Sequence, residues 1–278
     1  MWSGFSVAAP TVLLRSARTL SGSTWATSAL RSSATLAPMA GVHGGRPPLA
    51  FASAFCQRHA RSLHTLPYVG YAEQGLLPCF SLKGLRQHYH ELQFRHTQKL
   101  NSLVAGTQYE ALNLEDLIHA SHKKIGQANI HNIACELWNH NFFWKCMTPE
   151  GTSEEDAGTA FLERADLHFG GIQRLKDKFS QHAMAHFGSG WTWLVDRDGH
   201  LEILNTSNAG TILTHTDCLP LLALDVWEHA YHHDFGNRKE DYIKEWWRVV
   251  DWAFVGTQLE QADKRLSWKQ RSFSQDSS

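Results

Sequence analysis

The sequence predicts an α+β fold: a helical hairpin first, then a domain in which helices accompany three short strands. Two observations carry this. Residues 82–104 and 130–145 are free of proline and repeat their apolar positions at helical spacing. After an acidic, glycine-bearing stretch at 150–158 the pattern changes, and the runs Trp191–Asp196, Leu201–Ser207 and Leu221–Trp227 read as strands.

The elements follow in order. Residues 1–72 contain no Asp or Glu, while Arg15, Arg18, Arg31, Arg46, Arg58 and Arg61 stand among many Ser and Thr. This composition marks an organelle transit peptide over 1–64, disordered and removed near residue 62, with the mitochondrion as destination and a plastid as the alternative. Pro67 and Pro78 punctuate an extended entry segment. The hairpin domain spans 65–150: a helix over 82–104, an interruption at Thr107–Tyr109, a short helical turn over 114–121, and a helix over 130–145 ended by Thr148-Pro149. The second domain spans 151–266. It opens with two short helices broken at Gly170-Gly171, and Asp198-Gly199 supplies the hairpin turn between its first two strands. A helix over 241–259 closes it, and 267–278 is a loose polar tail.

Charge excludes one class of partner. Without the six leader arginines, 20 of the 26 basic residues face all 27 acids, a net charge near −7. Nucleic acid held through a basic surface is therefore not expected. Nothing after the leader is apolar enough to span a membrane. Four cysteines of the mature chain, Cys79, Cys135, Cys146 and Cys218, lack metal spacing and read as reduced thiols.

Four residues carry the chemistry: His88, His140, Asp225 and His229. Three neutral imidazoles and one carboxylate suit iron or manganese. They are far apart in sequence, so only a folded domain unites them. His88 and His140 come from the two hairpin helices, Asp225 from the end of a strand, and His229 from where the chain turns away. A shared ion would offset the cost of burying those groups. The remaining histidines, His119, His122, His131, His215 and His233 among them, read as ordinary polar residues.

These runs resemble the iron/manganese superoxide dismutase family over roughly 77–259. The resemblance is carried by Asp225-Val226-Trp227-Glu228-His229-Ala230-Tyr231, by Trp138-Asn139-His140-Asn141-Phe142-Phe143-Trp144, by 187–194 and by Ser207-Asn208-Ala209-Gly210. It implies a C-terminal α/β domain with a small three-stranded antiparallel sheet, and one ion per subunit on His88, His140, Asp225 and His229. It further implies solvent as fifth ligand, superoxide as substrate, and a homodimer with Glu228 and His232 at its interface. Ala209-Gly210 stand where iron-type members carry small residues, so iron is expected, with manganese as the alternative. Trp138, Trp144, Trp191 and Trp227 are expected to wall the pocket.

The surroundings of the ligands depart from the family. His96 takes the place of a gateway Tyr, Glu91 of a Lys, Leu92 of a His, and Glu136 of a Gln one helical turn before His140. Glu136 and His96 are expected to tune the metal and relay protons. A second reading follows from these departures: a weak or inactive member serving as a structural subunit of a mitochondrial assembly.

Overall fold

A computed structural model describes residues 64–275, with side chains to residue 267. The predicted leader lies outside the described residues except for His64. A continuous helical run covers the first predicted helix, as α1 (Leu82–Leu85), a π-helical stretch (Arg86–Gln93) and α2 (Phe94–Val104). Ser81 caps its start by accepting from Gly84 N at 3.0 Å. The π stretch is not visible in the residue pattern. Its wider turn brings residues five apart nearer to one face, and both His88 and Gln93 are buried on it. Asn101 pairs both ways with the His64 backbone at 2.9 Å, which ties the first described residue to α2.

Next come α3 (Leu114–Ser121), capped by Asn113, and α4 (Ala128–Lys145). Leu100, Val104, Leu117, Ile118, Ile130, Ala134 and Leu137 form the hairpin's own core. The acidic stretch is not wholly loop: Glu154–Ala157 make a 3-10 turn with a Ser153 capping box, and Ala157 is buried. A Cβ on Gly256 would stand 2.5 Å from Ala157 O, so glycine allows the last helix to pass there.

α5 (Thr159–Phe169) and α6 (Ile172–Ala185) break at Gly170 and Gly171, as the sequence predicts, both at positive φ. Strands β1 (Gly190–Arg197), β2 (His200–Ser207) and β3 (Cys218–Asp225) form an antiparallel sheet in the order β2-β1-β3. Trp193 pairs with Leu204 on one side and Ala223 on the other. The central strand is buried from Gly190 to Asp196. Asp198 and Gly199, both at positive φ, make the tight turn.

Three expectations need correction. The third strand stops at Asp225, two residues early, because Asp225 Oδ1 accepts Trp227 N at 2.8 Å and turns the chain into α7 (Glu228–Phe235). The closing helix is not continuous over 241–259. It is α8 (Lys239–Trp246), a 3-10 turn (Trp247–Val249), and α9 (Trp252–Gln275), broken where Val250 takes an extended conformation to bridge Met147. Helical periodicity carries through that break, so the pattern hides it. The predicted loose tail from 267 is helical as far as Gln275, since no Gly or Pro follows Gly256.

The two halves are sewn together near the site. Ser81 N donates to Asp234 Oδ2, Asp251 N to Cys146 O, and Asn139 Nδ2 to Gly210 O. The described cysteines are all free, as expected, and the structure buries each of them. No helix among the described residues is long and apolar enough to cross a membrane.

Candidate metal centre

The four predicted ligands meet. One donor atom from each of His88, His140, Asp225 and His229 lies within 4.8 Å of all the others. The π stretch supplies His88, α4 supplies His140, the last residue of β3 is Asp225, and His229 is the second residue of α7. Asp225 Oδ2 stands 3.2 Å from His88 Nε2, 3.6 Å from His140 Nε2 and 3.1 Å from His229 Nε2. Ligands about 2.1 Å from one ion are spaced in this way.

The set fits a metal on its own evidence. His88, His140 and Asp225 are buried, and Nε2 of both histidines lacks a hydrogen-bond partner. Buried imidazole nitrogens without partners are costly unless a cation takes their lone pairs. His140 Nδ1–H donates to Glu136 O at 2.7 Å, which fixes the tautomer and leaves Nε2 free to ligate. Burial lowers the His88 pKa to about 4 against the pull of Asp225, and lowers His140 well below its usual range with help from His88. Both are therefore neutral, the ligating form. Burial alone would raise the Asp225 carboxyl, but His229 and His88 outweigh it and hold it ionised. The donors are nitrogen and oxygen with no thiolate, a set that suits iron or manganese.

Three of the four predicted tryptophans wall the centre. Trp144 stands edge-on to His88 at 4.7 Å, Trp191 edge-on to His140 at 5.0 Å, and Trp227 stacks on His229 at 5.4 Å. Trp138 does not. It stacks on Phe142 and Trp193 and donates to Glu115 at 3.2 Å, because its place on α4 turns it from the His140 side. His96 is half-buried, 6.4 Å from the His140 ring, with Nδ1 unpartnered. Glu136 is buried, its Oε2 stands 3.7 Å from His140 Nδ1, and neither carboxyl oxygen has a hydrogen-bond partner. Burial, then the charge of Asp225, raises its pKa to about 9. Glu228 and His232 are exposed on α7, and His232 lines a cleft of about 300 Å³ that reaches His88 and His229.

Two supporting residues escaped the sequence reading. Gln93 accepts from Trp144 Nε1 and donates to Asn141, both at 2.6 Å, so a buried amide holds a wall of the pocket. Tyr242 donates its hydroxyl to Asp225 O at 3.0 Å from across the chain. Neither lies in a run that marks it; a buried amide and a tyrosine on a helix carry no signal alone.

Comparison with known proteins agrees with this geometry. Residues 63–148 match the alpha-hairpin domain of iron/manganese superoxide dismutases, and residues 157–258 match their C-terminal domain. A protein of Entamoeba histolytica named superoxide dismutase [Fe] is 44% identical over 194 residues, 70% of this chain and 98% of that protein. Proteins of the same name from Legionella pneumophila and Escherichia coli K12 are 41% and 40% identical, over 98% and 97% of their own lengths and 70% of this chain. With both domains matched and the four donors gathered at one point, the chain belongs to the iron/manganese superoxide dismutase family.

Proposed function

We infer that this protein is a superoxide dismutase that converts two superoxide anions and two protons into dioxygen and hydrogen peroxide. The observation that carries the reading is the convergence of three imidazole nitrogens on one Asp225 oxygen, 3.1–3.6 Å away. Bound iron would supply the chemistry by alternating between two oxidation states. The chain's own residues do the rest. The cleft lined by Glu91, Leu92, Arg95 and His232 leads to the side of the centre where His229 is partly exposed, and Arg95 is the cation in it that can draw in a small anion. Trp144, Trp191 and Trp227 keep bulk water out. The His96 ring and the Glu136 carboxyl stand beside His140 with Nδ1 and both carboxyl oxygens unpartnered, placed to hold and pass the two protons the product consumes.

Iron is favoured over manganese by the relatives' names and by Ala209-Gly210, where Ala209 packs against the hairpin core. The single four-residue donor set of this kind among the described residues supports one iron ion per chain. The exposed Glu228 and His232 beside the cleft support a homodimer across α7. The acid-free, arginine-rich leader, which precedes the family match at residue 63, supports mitochondrial import. Nothing in the fold favours a structural-subunit role over catalysis.

Metal analysis of the purified protein, with superoxide consumption measured on the same sample, tests the function. Iron-loaded protein without turnover would overturn it. Light scattering and organelle fractionation test the dimer and the destination.

A further inference from the structure

A second group of metal-binding side chains lies in the hairpin domain, outside the centre. His131 and Cys135 stand one turn apart on α4, and His122 is the C-cap residue of α3. His131 Nε2 lies 3.5 Å from Cys135 Sγ and 3.5 Å from His122 Nδ1. Nitrogen and sulfur ligands on one tetrahedral cation are roughly 3.3–3.6 Å apart, given metal distances of about 2.0–2.1 and 2.3 Å.

The tautomer of His131 is determined by its neighbour. Ser121 Oγ has one proton and donates it to Leu117 O at 2.7 Å. At His131 Nδ1, 3.2 Å away, that oxygen must accept, so the proton sits on Nδ1. The Nε2 lone pair therefore faces Cys135 and His122. A histidine with its far nitrogen pinned by an acceptor is oriented as metal-binding histidines are.

We propose that His122, His131 and Cys135 form a second site, for a zinc-type divalent cation, that joins the end of α3 to α4. A thiolate with two imidazoles selects a softer cation than the N/O centre does. The His122 and Cys135 donor atoms stand more than 4.8 Å apart, so closing the site requires the His122 ring to turn inward. Its position at a helix cap and its partial exposure permit that. Burial keeps Cys135 a thiol, pushed up to about 12, in the cation-free protein. Binding replaces the S–H bond with a metal–sulfur bond and releases the proton to solvent. Solvent fills the fourth position. The other cluster, His215, Asp217 and Cys218, is a poorer candidate because Arg197 already pairs with Asp217.

Cobalt(II) titration of the iron-loaded holoprotein is the test. The expected result is one further equivalent per chain and a near-ultraviolet thiolate-to-cobalt band. Cys135→Ser should abolish the band, Cys218→Ser should keep it, and His122→Asn should weaken cobalt binding at least about tenfold. Circular dichroism and an unchanged iron content confirm that each variant is folded. No second equivalent, a band that survives Cys135→Ser, a band lost only in Cys218→Ser, or unchanged affinity in His122→Asn would each overturn the site.

Discussion

Glu136 touches His140 twice from one turn away on α4: its carbonyl accepts the Nδ1 proton at 2.7 Å, and its carboxyl Oε2 stands 3.7 Å from the same nitrogen. The first contact orients the ligand. The second places a carboxyl with no hydrogen-bond partner against the centre.

Glu136→Gln keeps the size of the side chain and substitutes a permanent amide donor for the carboxyl. An amide donor toward metal-bound hydroxide favours the oxidised metal, so the reduction potential should fall by at least ~59 mV, a one-electron factor of ten. Turnover should rise about tenfold, the scale of outer-shell changes. Redox titration and stopped-flow turnover check this. An unchanged potential would show that residue 136 does not reach the coordinated solvent.

The metal-free protein should lose stability as pH rises. The Glu136 carboxyl is raised to about 9 when folded, from 4.5, so the unfolded chain releases its proton first. A raised pKa means that stability is present below the unfolded value and is lost on the way up to the folded one. His88 and His140 work oppositely below about 6.5, so the decline is expected only above that pH. Asp225 stays ionised and the buried thiols protonated there. Between about pH 6.5 and 8 the Glu136 effect stands alone and is worth about 2 kcal/mol at 1.36 kcal/mol per unit. Thermal unfolding of apoprotein should show the decline, and Glu136→Gln should flatten it; a slope that persists in the variant refutes the assignment.

Gln93→Leu leaves the buried Trp144 Nε1–H without its acceptor. An unsatisfied buried donor costs about 1–3 kcal/mol. The unfolding midpoint should drop accordingly, and the iron spectrum should broaden as the Trp144 wall loosens against His88. An unaltered midpoint would mean that solvent or another group replaces the amide.

Trp138→Phe should leave iron content and spectrum unchanged, since Trp138 packs on Phe142 and Trp193 and touches no ligand. Its partly exposed bond to Glu115 is worth about 1 kcal/mol at most in unfolding experiments. A shifted metal spectrum would return Trp138 to the centre.

What the sequence alone determined is what local chemistry and spacing encode. The glycine pair at positive φ breaks α5 from α6, Asp198-Gly199 turns β1 into β2, and an uninterrupted apolar-rich run forms the buried central strand. The four ligands were legible because three histidines and an aspartate stood in distinctive runs. What only the tertiary structure decided depends on partners distant in the chain. The π stretch that carries His88 has no residue signature, because α and π turns use the same side chains. The break at Val250 exists because Met147 pairs with it from the other domain. Trp138 looks no different from Trp144 in sequence, yet it faces away, and Gln93 becomes structural only when Trp144 folds against it. Local preference follows from a residue's immediate neighbours, whereas burial, coordination and the pairing of lone polar atoms are set by whatever the fold brings alongside.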